Sequence, residues 1–331
     1  MKKPWLLLSP KLAHDLAPFG IQVLSAFQSE PTPVWRPSKW RELEFKNPLG
    51  LAGGVDKDAA LIEEWWSFGA GFIEVGTITP LAQSANAGKI IDRDVATRAL
   101  WNRMGFPGSG VKVAYENLTD LPLKRKSPIF VNIGKNRSTP NEHAAADYAY
   151  CISQIGELAD AFVINISSPN TTGLRDLFRE ENFAPFLETI LRARGQNSNR
   201  AKPLLLKLSP DLLPSDLTSI VKTSARLGID GFIATNTTLS RPPGSPFPVE
   251  GGVSGGPLAE LSKNMLRTVI DLLGSERDGK LLVSVGGIMT PEDVSERLHL
   301  GADLVQVYTA LVYEGPGFFH QVARQIKHPT A

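Results

Sequence analysis

After residue 37, short apolar runs alternate with stretches in which apolar residues recur at helical spacing. Short, almost continuously apolar runs rich in β-branched residues recur at Pro48–Gly53, Phe72–Thr77, Ile129–Lys135, Phe162–Ser168, Leu204–Ser209, Gly231–Thr237, Leu282–Ile288 and Leu304–Ala310. Between them lie stretches with a helical period, including Ala59–Phe68, Asp147–Leu158, Asn182–Ala193, Pro214–Leu227 and Pro291–Leu300. Apolar strands that alternate with helices predict a parallel sheet covered on its outer face. Eight repeats predict a closed (β/α)8 TIM barrel, an α/β fold, with an open doubly wound sheet as the alternative.

The first 36 residues have a different pattern. Residues 4–27 carry apolar side chains at helical spacing, interrupted by Pro10 and Pro18, and predict one or two short amphipathic helices. Three prolines within residues 29–37 predict a linker. We therefore divide the chain into an N-terminal helical extension with its linker, residues 1–36, and a barrel, residues 37–331. The apolar face of the extension either packs on the barrel or contacts a lipid surface.

Composition narrows the class of protein. The chain has 331 residues, of which 42% are hydrophobic, so a large core is available and disorder is excluded. Lys+Arg is 35 and Asp+Glu is 34, and the net charge of +1 provides no basic field for nucleic acid. A single cysteine and scattered histidines predict neither a disulfide nor a metal site. No apolar stretch is long enough for a membrane span or a signal peptide, which predicts an intracellular protein.

Each predicted strand ends in polar residues or glycine. In a parallel barrel these carboxyl ends meet at one mouth, where active sites form. Any single Asn or Thr could cap a helix, but together they predict a bound polar ligand, because polar groups in apolar strands are costly without partners. Lysines among them predict an anionic or electron-rich ligand. These residues are Asp56, Lys57, Thr77, Asn132, Lys135, Asn165, Ser167, Ser168, Lys207, Thr235, Asn236, Thr237, Gly286, Gly287, Tyr308 and Thr309.

Two glycine-rich stretches predict a phosphate site. Val285–Ile288 stands between the seventh predicted strand and a helix, where backbone N–H groups can approach phosphate oxygens. Gly251–Gly256 occupies the loop before that strand. With Tyr308 and Thr309 at the eighth strand, this is the usual phosphate position in barrels. No dinucleotide fingerprint or P-loop is present, so the ligand is a mononucleotide cofactor or a phosphorylated substrate.

Longer motifs follow in a fixed order from residue 47 to about residue 316. They are Asn47–Lys57, Glu74–Pro80, Asn102–Phe106, Asn132–Asn136, Asn165–Thr171, Gly173–Arg175, Lys207 with Pro210 and Asp211, Ala234–Thr238, Gly251–Gly255, Val285–Ile288 and Tyr308–Ala310. In these motifs the chain resembles the dihydroorotate dehydrogenases, which are FMN-containing (β/α)8 barrels. It resembles their quinone-dependent class in its N-terminal extension, where Leu8–His14 is similar to that class's L-x-P-x-x-A-H stretch, and in Ser168, where soluble classes have cysteine.

The resemblance implies a reaction. (S)-Dihydroorotate would be oxidised to orotate in de novo pyrimidine (UMP) biosynthesis, with Ser168 taking the C5 proton while the C6 hydride passes to FMN. Because a serine hydroxyl is a poor base, the site must assist it, and Thr171 is a candidate. Lys57 would lie near both flavin and substrate. Electrons would then pass to a membrane quinone, near His14 and Arg93.

The resemblance also implies two sets of ligands. The substrate would be held by Lys57, Asn102, Arg103, Met104, Gly105, Phe106, Asn165, Asn170, Asn236 and Thr237. FMN would be held by Gly53, Gly54, Thr77, Asn132, Asn165, Lys207, Thr235, Gly255, Gly286, Gly287, Tyr308 and Thr309. The extension implies a peripheral position at the cytoplasmic side of the cell membrane.

Three positions depart from the family pattern. Lys89–Arg93 keeps only the last arginine of a P-R-x-F-R stretch, Gly256 replaces a basic residue, and Pro107 replaces an asparagine. These changes keep open an FMN-dependent barrel dehydrogenase that acts on a related dihydropyrimidine or uses a soluble electron acceptor. A non-catalytic barrel that binds a nucleotide or a membrane surface is a third hypothesis.

Overall fold

The computed structural model describes residues 3–171, 173–194 and 202–327. Its strands are β1 (Ser38–Trp40), β2 (Leu43–Phe45), β3 (Leu49–Leu51), β4 (Ile73–Ile78), β5 (Ile91–Asp94), β6 (Ala99–Asn102), β7 (Ile129–Ile133), β8 (Ala161–Ile164), β9 (Leu204–Leu208), β10 (Gly231–Ala234), β11 (Gly252–Gly255), β12 (Leu281–Val285) and β13 (Leu304–Val307).

The α-helices are α1 (Pro10–Ala26), α2 (Ile62–Ser67), α3 (Val111–Thr119), α4 (Ala144–Ile155), α5 (Glu180–Ala193), α6 (Pro214–Leu227), α7 (Ala259–Leu273), α8 (Pro291–His299), α9 (Thr309–Glu314) and α10 (Phe318–Lys327). Short 3-10 turns lie at Pro4–Leu7, Asn141–His143, Gly156–Leu158, Leu174–Phe178, Gly256–Leu258 and Gly274–Arg277. Local sequence fixes several ends. Thr290 and Asp293 form a capping box at the start of α8, and α6 is followed by Gly228, whose φ of 90° favours glycine.

Eight strands form a closed parallel barrel in the order β3, β4, β7, β8, β9, β10, β12, β13. The barrel closes where β13 pairs with β3, with Val305 opposite Leu49. Each barrel strand falls within or overlaps one of the eight predicted runs, which confirms the TIM barrel and excludes the open sheet. The barrel strands are buried along their whole length because helices cover the outside and apolar side chains fill the inside.

A β1–β2 hairpin fills the end of the barrel at which the strands begin. Phe45 on β2 packs edge-on against Phe72 and Phe130, with ring centroids 6.0 Å and 6.3 Å apart. Such aromatic contacts are favourable beyond their buried area. The polar strand ends lie at the opposite mouth, because the barrel strands are parallel and all their carboxyl ends meet there.

An antiparallel sheet of β5, β6 and β11 lies over that mouth and was not predicted from the sequence. The Gly251–Gly256 stretch, expected to be a loop, contains β11, which pairs with β6 so that Gly252 faces Asn102. Glycine is needed because a Cβ at Gly251 would lie 2.6 Å from the Trp101 indole nitrogen. The alternation that identifies strands is absent from such a glycine-rich sequence, so the prediction of a loop was wrong.

The N-terminal extension forms a 3-10 turn and the continuous helix α1. Pro10 is the first residue of α1, after the Ser9 cap, but Pro18 does not break the helix as expected. One missing N–H donor is tolerated here while α1 packs against α2 and β5. No residue of α1 is buried, and Phe19 and Phe27 are 68% and 82% exposed. Within the described residues, we find no helix with the length and hydrophobicity needed to span a membrane.

Candidate active site

The carboxyl ends of the barrel strands surround a cleft. This places together, as the sequence predicted, side chains from all eight strand ends and from β6. Predicted residues that line the cleft are Gly53, Gly54, Lys57, Thr77, Asn102, Met104, Gly105, Phe106, Asn132, Asn165, Ser168, Asn170, Lys207, Thr235, Asn236, Thr237, Gly286, Gly287, Tyr308 and Thr309.

A buried carboxylate anchors the floor of the cleft. Glu74 on β4 is fully buried, and its Oε1 accepts hydrogen bonds from Lys207 Nζ at 2.9 Å and Asn132 Nδ2 at 2.5 Å. Its Oε2 accepts from Gln306 Nε2 at 2.7 Å. A Cβ at Gly53 would lie 2.3 Å from Oε1, so only glycine fits there. Both carboxylate oxygens are therefore satisfied, and the lysine ammonium is held in place at the cleft.

Carboxamide groups form the next layer. Asn165 Nδ2 donates to Thr77 Oγ1 at 2.9 Å, and Asn236 Nδ2 donates to Asn165 Oδ1 at 3.3 Å and Ser167 Oγ at 3.0 Å. The three residues Asn165, Thr77 and Ser167 are buried. Because each amide is fixed by its neighbour, its donors and acceptors are already oriented in the cleft. A ligand that binds there does not have to order these side chains at a cost in entropy.

Ser168 lies beside a second pair of asparagines. Its Oγ accepts a hydrogen bond from the backbone N–H of Asn170 at 3.2 Å, and its side chain is buried at the cleft wall. Asn170 Nδ2 donates to Asn102 Oδ1 at 2.8 Å, which links the segment after β8 to β6. The Oδ1 of Asn170 is buried without a protein partner, so it can accept from a ligand N–H.

The glycine turn, Gly286 and Gly287, forms another wall. Their φ values of 110° and 69° lie in the region that favours glycine, and a Cβ at Gly287 would lie 2.2 Å from the Ala259 Cα. In the described part of the chain, neither amide N–H of this turn donates to a protein acceptor. Thr309 Oγ1 lies 2.8 Å from Ser254 Oγ in the same region. Free N–H groups and hydroxyls suit a phosphate group.

A second, apolar cavity lies between α1 and the barrel. Lys57, Leu100 and Tyr308 line both spaces and form their common wall. Lys57 Nζ is 3.3 Å from His14 Nε2 on α1. Burial lowers the pKa of Lys57 and of His14 from their ordinary values, and for His14 the nearby Lys57 adds to this effect. His14 is therefore a neutral acceptor at pH 7.

Arg93 also lines the apolar cavity, where it holds the extension to the barrel. Its Nη2 donates to the carbonyl of Leu6 at 2.8 Å and to that of Leu8. At the same face, Trp5 Nε1 donates to the carbonyl of Val312 at 2.7 Å. These bonds fix the extension at the entry to the cavity. The bonds from Arg93 need only backbone atoms of the extension, whereas the bond to Val312 needs the Trp5 side chain.

Protonation of His14 should loosen α1 from the barrel. The pKa of His14 in the folded protein lies below the ordinary value of 6.5. The contribution of neutral His14 to the docking of α1 is therefore present above pH 6.5 and is lost as pH falls through the folded-state pKa. Hydrogen exchange of residues 10–26 should therefore be faster at about pH 5.5 than at about pH 7.5, beyond the intrinsic effect of pH. Burial raises the pKa of Asp56 to about 6, so the contribution of Asp56 to stability depends on pH in the opposite direction and is lost as pH rises through about 6.

The variant His14→Gln isolates the histidine in this experiment. Glutamine keeps an acceptor for Lys57 but does not titrate, so the excess acceleration at low pH should disappear. An excess of the same size in His14→Gln would assign the effect to another group.

Of the predicted substrate and FMN ligands, two lie outside the cleft lining. Arg103 follows Asn102, and because successive side chains of an extended chain point to opposite sides, its Nη2 bonds the carbonyl of Ala87 at 2.6 Å instead. Gly255 has no side chain, and Ser254 lines the cleft beside it. Arg103 and Gly255 therefore do not line the cleft, and their contacts with a ligand stay a prediction.

Four residues of the site, Glu74, Gln306, Ser254 and Leu100, were not predicted from the sequence. Glu74 and Gln306 carried a signal, because each is a polar residue within an apolar strand run. Ser254 and Leu100 carried none, since they reach the cleft only through the unpredicted sheet of β6 and β11.

The fold and the site define a barrel enzyme that holds a phosphate-bearing cofactor and a planar polar ligand next to an apolar cavity. A family model described as dihydroorotate dehydrogenase matches residues 37–329. The chain is 44% identical over 321 residues to the dihydroorotate dehydrogenase (quinone) of Deinococcus radiodurans, with 95% of this chain and 85% of that protein covered. For a protein of the same description from Thermus thermophilus, identity is 44% over 331 residues, with 94% and 90% covered.

A solved structure is similar over nearly the whole chain. The crystal structure of DHODH from Eimeria tenella in complex with ferulenol superposes with a TM-score of 0.85 at 30% identity, covering 98% of this chain and 91% of that one. This chain belongs to the dihydroorotate dehydrogenase family.

The enzymes of this family are FMN flavoproteins, and the residues of the cleft fit that cofactor. Gln306 Oε1 and Asn170 Oδ1 are buried without protein partners, which suits the N–H donors of a flavin and a pyrimidine. The free N–H groups of Gly286 and Gly287 suit the single phosphate of a mononucleotide. Lys57 and Lys207 supply positive charge for an electron-rich ring system.

Proposed function

We propose that this chain oxidises (S)-dihydroorotate to orotate, with FMN as cofactor and a quinone as final electron acceptor. The observation that carries the proposal is the shared wall of Lys57, Leu100 and Tyr308 between the polar cleft and the apolar cavity. One side of this wall suits a charged pyrimidine and a flavin, and the other suits an apolar quinone.

The asparagine cluster binds the substrate in this proposal. Asn102, Asn165, Asn170 and Asn236 offer amide donors and acceptors, as do the edges of a dihydropyrimidine, and Thr237 adds a hydroxyl. The unpartnered Asn170 Oδ1 takes a ring N–H, and amide donors face the carboxylate. Met104, Gly105 and Phe106 cover the site from the loop after β6.

Ser168 takes the C5 proton of dihydroorotate. The hydrogen bond from the Asn170 N–H orients the Ser168 oxygen but leaves a lone pair for the substrate. Serine must release its own proton as it accepts one. Thr171 Oγ1, which is buried without a protein partner, is our candidate for the next proton carrier.

Bound FMN supplies the acceptor for the hydride that leaves C6. Thr77, Asn132, Lys207 and Thr235 hold its ring and ribityl portion, and the glycine turn with Tyr308 and Thr309 holds its phosphate. Lys57 places a cation where negative charge develops, and because this side chain is largely buried, water screens its charge little.

The absorption spectrum of the purified protein tests this function. We expect a yellow protein whose flavin absorbance disappears on anaerobic addition of dihydroorotate and returns on addition of a quinone. Flavin absorbance that dihydroorotate leaves unchanged would refute the substrate. Reoxidation by fumarate or NAD but not by quinone would refute the acceptor.

The extension places the enzyme on a membrane surface in this proposal. The exposed apolar side chains of α1, including Leu12, Leu16 and Phe19, and the adjoining Phe27 cover a face large enough to enter a lipid interface. The apolar cavity behind α1 then gives a quinone a path from lipid to Lys57 and His14. The protein is expected at the cytoplasmic side of the cell membrane.

Deletion of residues 1–27 should separate the two half-reactions. This truncation keeps Trp35 of the linker, which is buried in the barrel core. Quinone reduction should fall at least about tenfold and vesicle binding should be lost, because the cavity loses one wall and the lipid-facing surface. Flavin reduction by dihydroorotate should change less than about threefold, which stopped-flow absorbance measures.

A pair of point variants tests the surface alone. Phe19→Glu should weaken sedimentation with vesicles, whereas Leu123→Glu, at a fully exposed position on the barrel, should not. Equal effects of the two variants would show that a general change of charge, and not the face of α1, controls binding.

A further inference from the structure

A buried guanidinium lies directly behind the glycine turn. Arg297 on α8 is 1% exposed, and its Nη2 donates to the carbonyl of Gly286 at 3.1 Å, the carbonyl of Ala259 at 2.9 Å and Ser262 Oγ at 2.8 Å. Its Nη1 donates to Ser284 Oγ at 3.2 Å, and its Nε is buried without a partner. Every acceptor of this cation is neutral.

In the described part of the chain, no carboxylate forms an ion pair with Arg297, although Glu296, Asp293 and Glu260 are near enough to favour its charge. The nearby carboxylates are engaged elsewhere: Glu260 and Glu296 pair with Lys263 at 2.5 Å and 3.2 Å, and Asp293 caps α8. Burial lowers the pKa of Arg297 to about 10, which leaves it charged at neutral pH. A buried cation whose hydrogen-bond acceptors are all neutral is costly, so a bound anion nearby would stabilise it.

The peptide group between Gly286 and Gly287 lies between Arg297 and the cleft. Arg297 and Ser262 both bond the carbonyl of Gly286, and that carbonyl shares its peptide with the N–H of Gly287. In a trans peptide the C=O and N–H point in opposite directions, so fixing the carbonyl on the Arg297 side directs the N–H to the cleft side. The peptide dipole and the guanidinium thus add their positive potentials at the same place.

The cleft needs such a charge at this end. The cations that line it, among the described residues, are Lys57 and Lys207, and Lys207 is paired with Glu74. Position 256, where the family pattern has a basic residue, is glycine here, and a Cβ would lie 2.6 Å from the carbonyl oxygen of Thr97. No side chain can therefore supply a cation from that position without a shift of the backbone.

We propose that Arg297 is a positioning residue that gives the glycine turn its affinity for the phosphate of FMN. This inference rests on the proposed function only in that FMN binds in the cleft. Arg297 would then provide positive potential at the phosphate position of the cleft through the Gly286–Gly287 peptide. No cationic side chain would need to contact the ligand directly.

The test compares FMN with riboflavin, which has the same ring and ribityl chain but no phosphate. Full-length apoprotein is titrated with each flavin and the quenching of flavin fluorescence is measured. Arg297→Gln, which keeps an amide donor but removes the charge, should weaken FMN binding at least about tenfold and change riboflavin binding less than about twofold. Arg297→Lys, which keeps the charge, should retain FMN affinity within about threefold.

Controls separate this inference from the function itself. Arg125→Gln removes a guanidinium that pairs with Asp160 away from the cleft, and it should leave the preference for FMN over riboflavin unchanged. Equal weakening of both flavins by Arg297→Gln, or no weakening, overturns the inference. If Arg297→Gln does not fold, Arg297→Lys decides, because a tenfold loss of FMN preference with the charge retained overturns it. Failure of the parent protein to bind either flavin would instead refute the proposed function.

Discussion

Ser168→Ala is expected to slow flavin reduction by dihydroorotate about a thousandfold, within the range typical of a lost general base. Alanine removes the oxygen that takes the C5 proton but leaves the asparagine cluster that binds the substrate. The dissociation constant of orotate should therefore change less than about threefold, since no binding contact of the asparagines is removed. Stopped-flow absorbance gives the rate, and titration of the oxidised flavin spectrum gives the binding.

The neighbouring serine provides a matched control. Ser167 Oγ bonds the amides of Asn165 and Asn236 and does not line the cleft, so Ser167→Ala should weaken orotate binding more than it slows proton removal. Ser168→Cys should recover part of the rate because a thiol can also exchange a proton. A Ser168→Ala enzyme that reduces its flavin at the parent rate would refute the assignment of the base.

Glu74→Gln is expected to lower the free energy of unfolding by about 3–5 kcal/mol, the usual cost of removing one partner from a buried ion pair. Glutamine has nearly the same shape, so the loss reflects charge and hydrogen bonds: Lys207 loses its counter-ion, and one of the amide donors of Asn132 and Gln306 faces another donor. Urea unfolding of the apoprotein measures this change. The FMN content of the purified variant should fall because Lys207 and Asn132 no longer have fixed positions.

An exposed ion pair shows how much of this effect comes from burial. The carboxylate of Glu44 lies 3.7 Å from the Lys39 ammonium on the surface hairpin. Replacing Glu44 by glutamine should change the free energy of unfolding by less than about 1 kcal/mol. The double variant Glu74→Gln with Lys207→Met should recover part of the lost stability, because the uncompensated charge is gone. If Glu74→Gln and Glu44→Gln unfold at the same urea concentration, the buried pair does not stabilise the barrel.

The barrel and most of the cleft could be predicted from the sequence because their signals are local. Each barrel strand is an apolar run, and each run ends in the polar residues that line the mouth, so strand order alone brings Lys57, Ser168 and Asn236 together. Motifs of several consecutive residues added the class of cofactor and substrate. The sheet of β5, β6 and β11 has no such local signal. Its glycine-rich strand β11 pairs through backbone hydrogen bonds with β6, which is far away in the sequence, so that Gly252 lies opposite Asn102.

Contacts between distant segments were decided only by the tertiary structure. The sequence placed Glu74 in a strand, but not its partners Lys207 and Gln306, which come from two other strands of the barrel. Likewise, Arg297 is an ordinary helix residue in the sequence and a buried cation behind the glycine turn in the fold. Periodicity and short motifs depend on neighbours along the chain, whereas the strength and direction of an electrostatic interaction depend on burial and on distances across space. The sequence by itself therefore determined the barrel and the residues at its mouth, and only the tertiary structure decided which of their charges are paired.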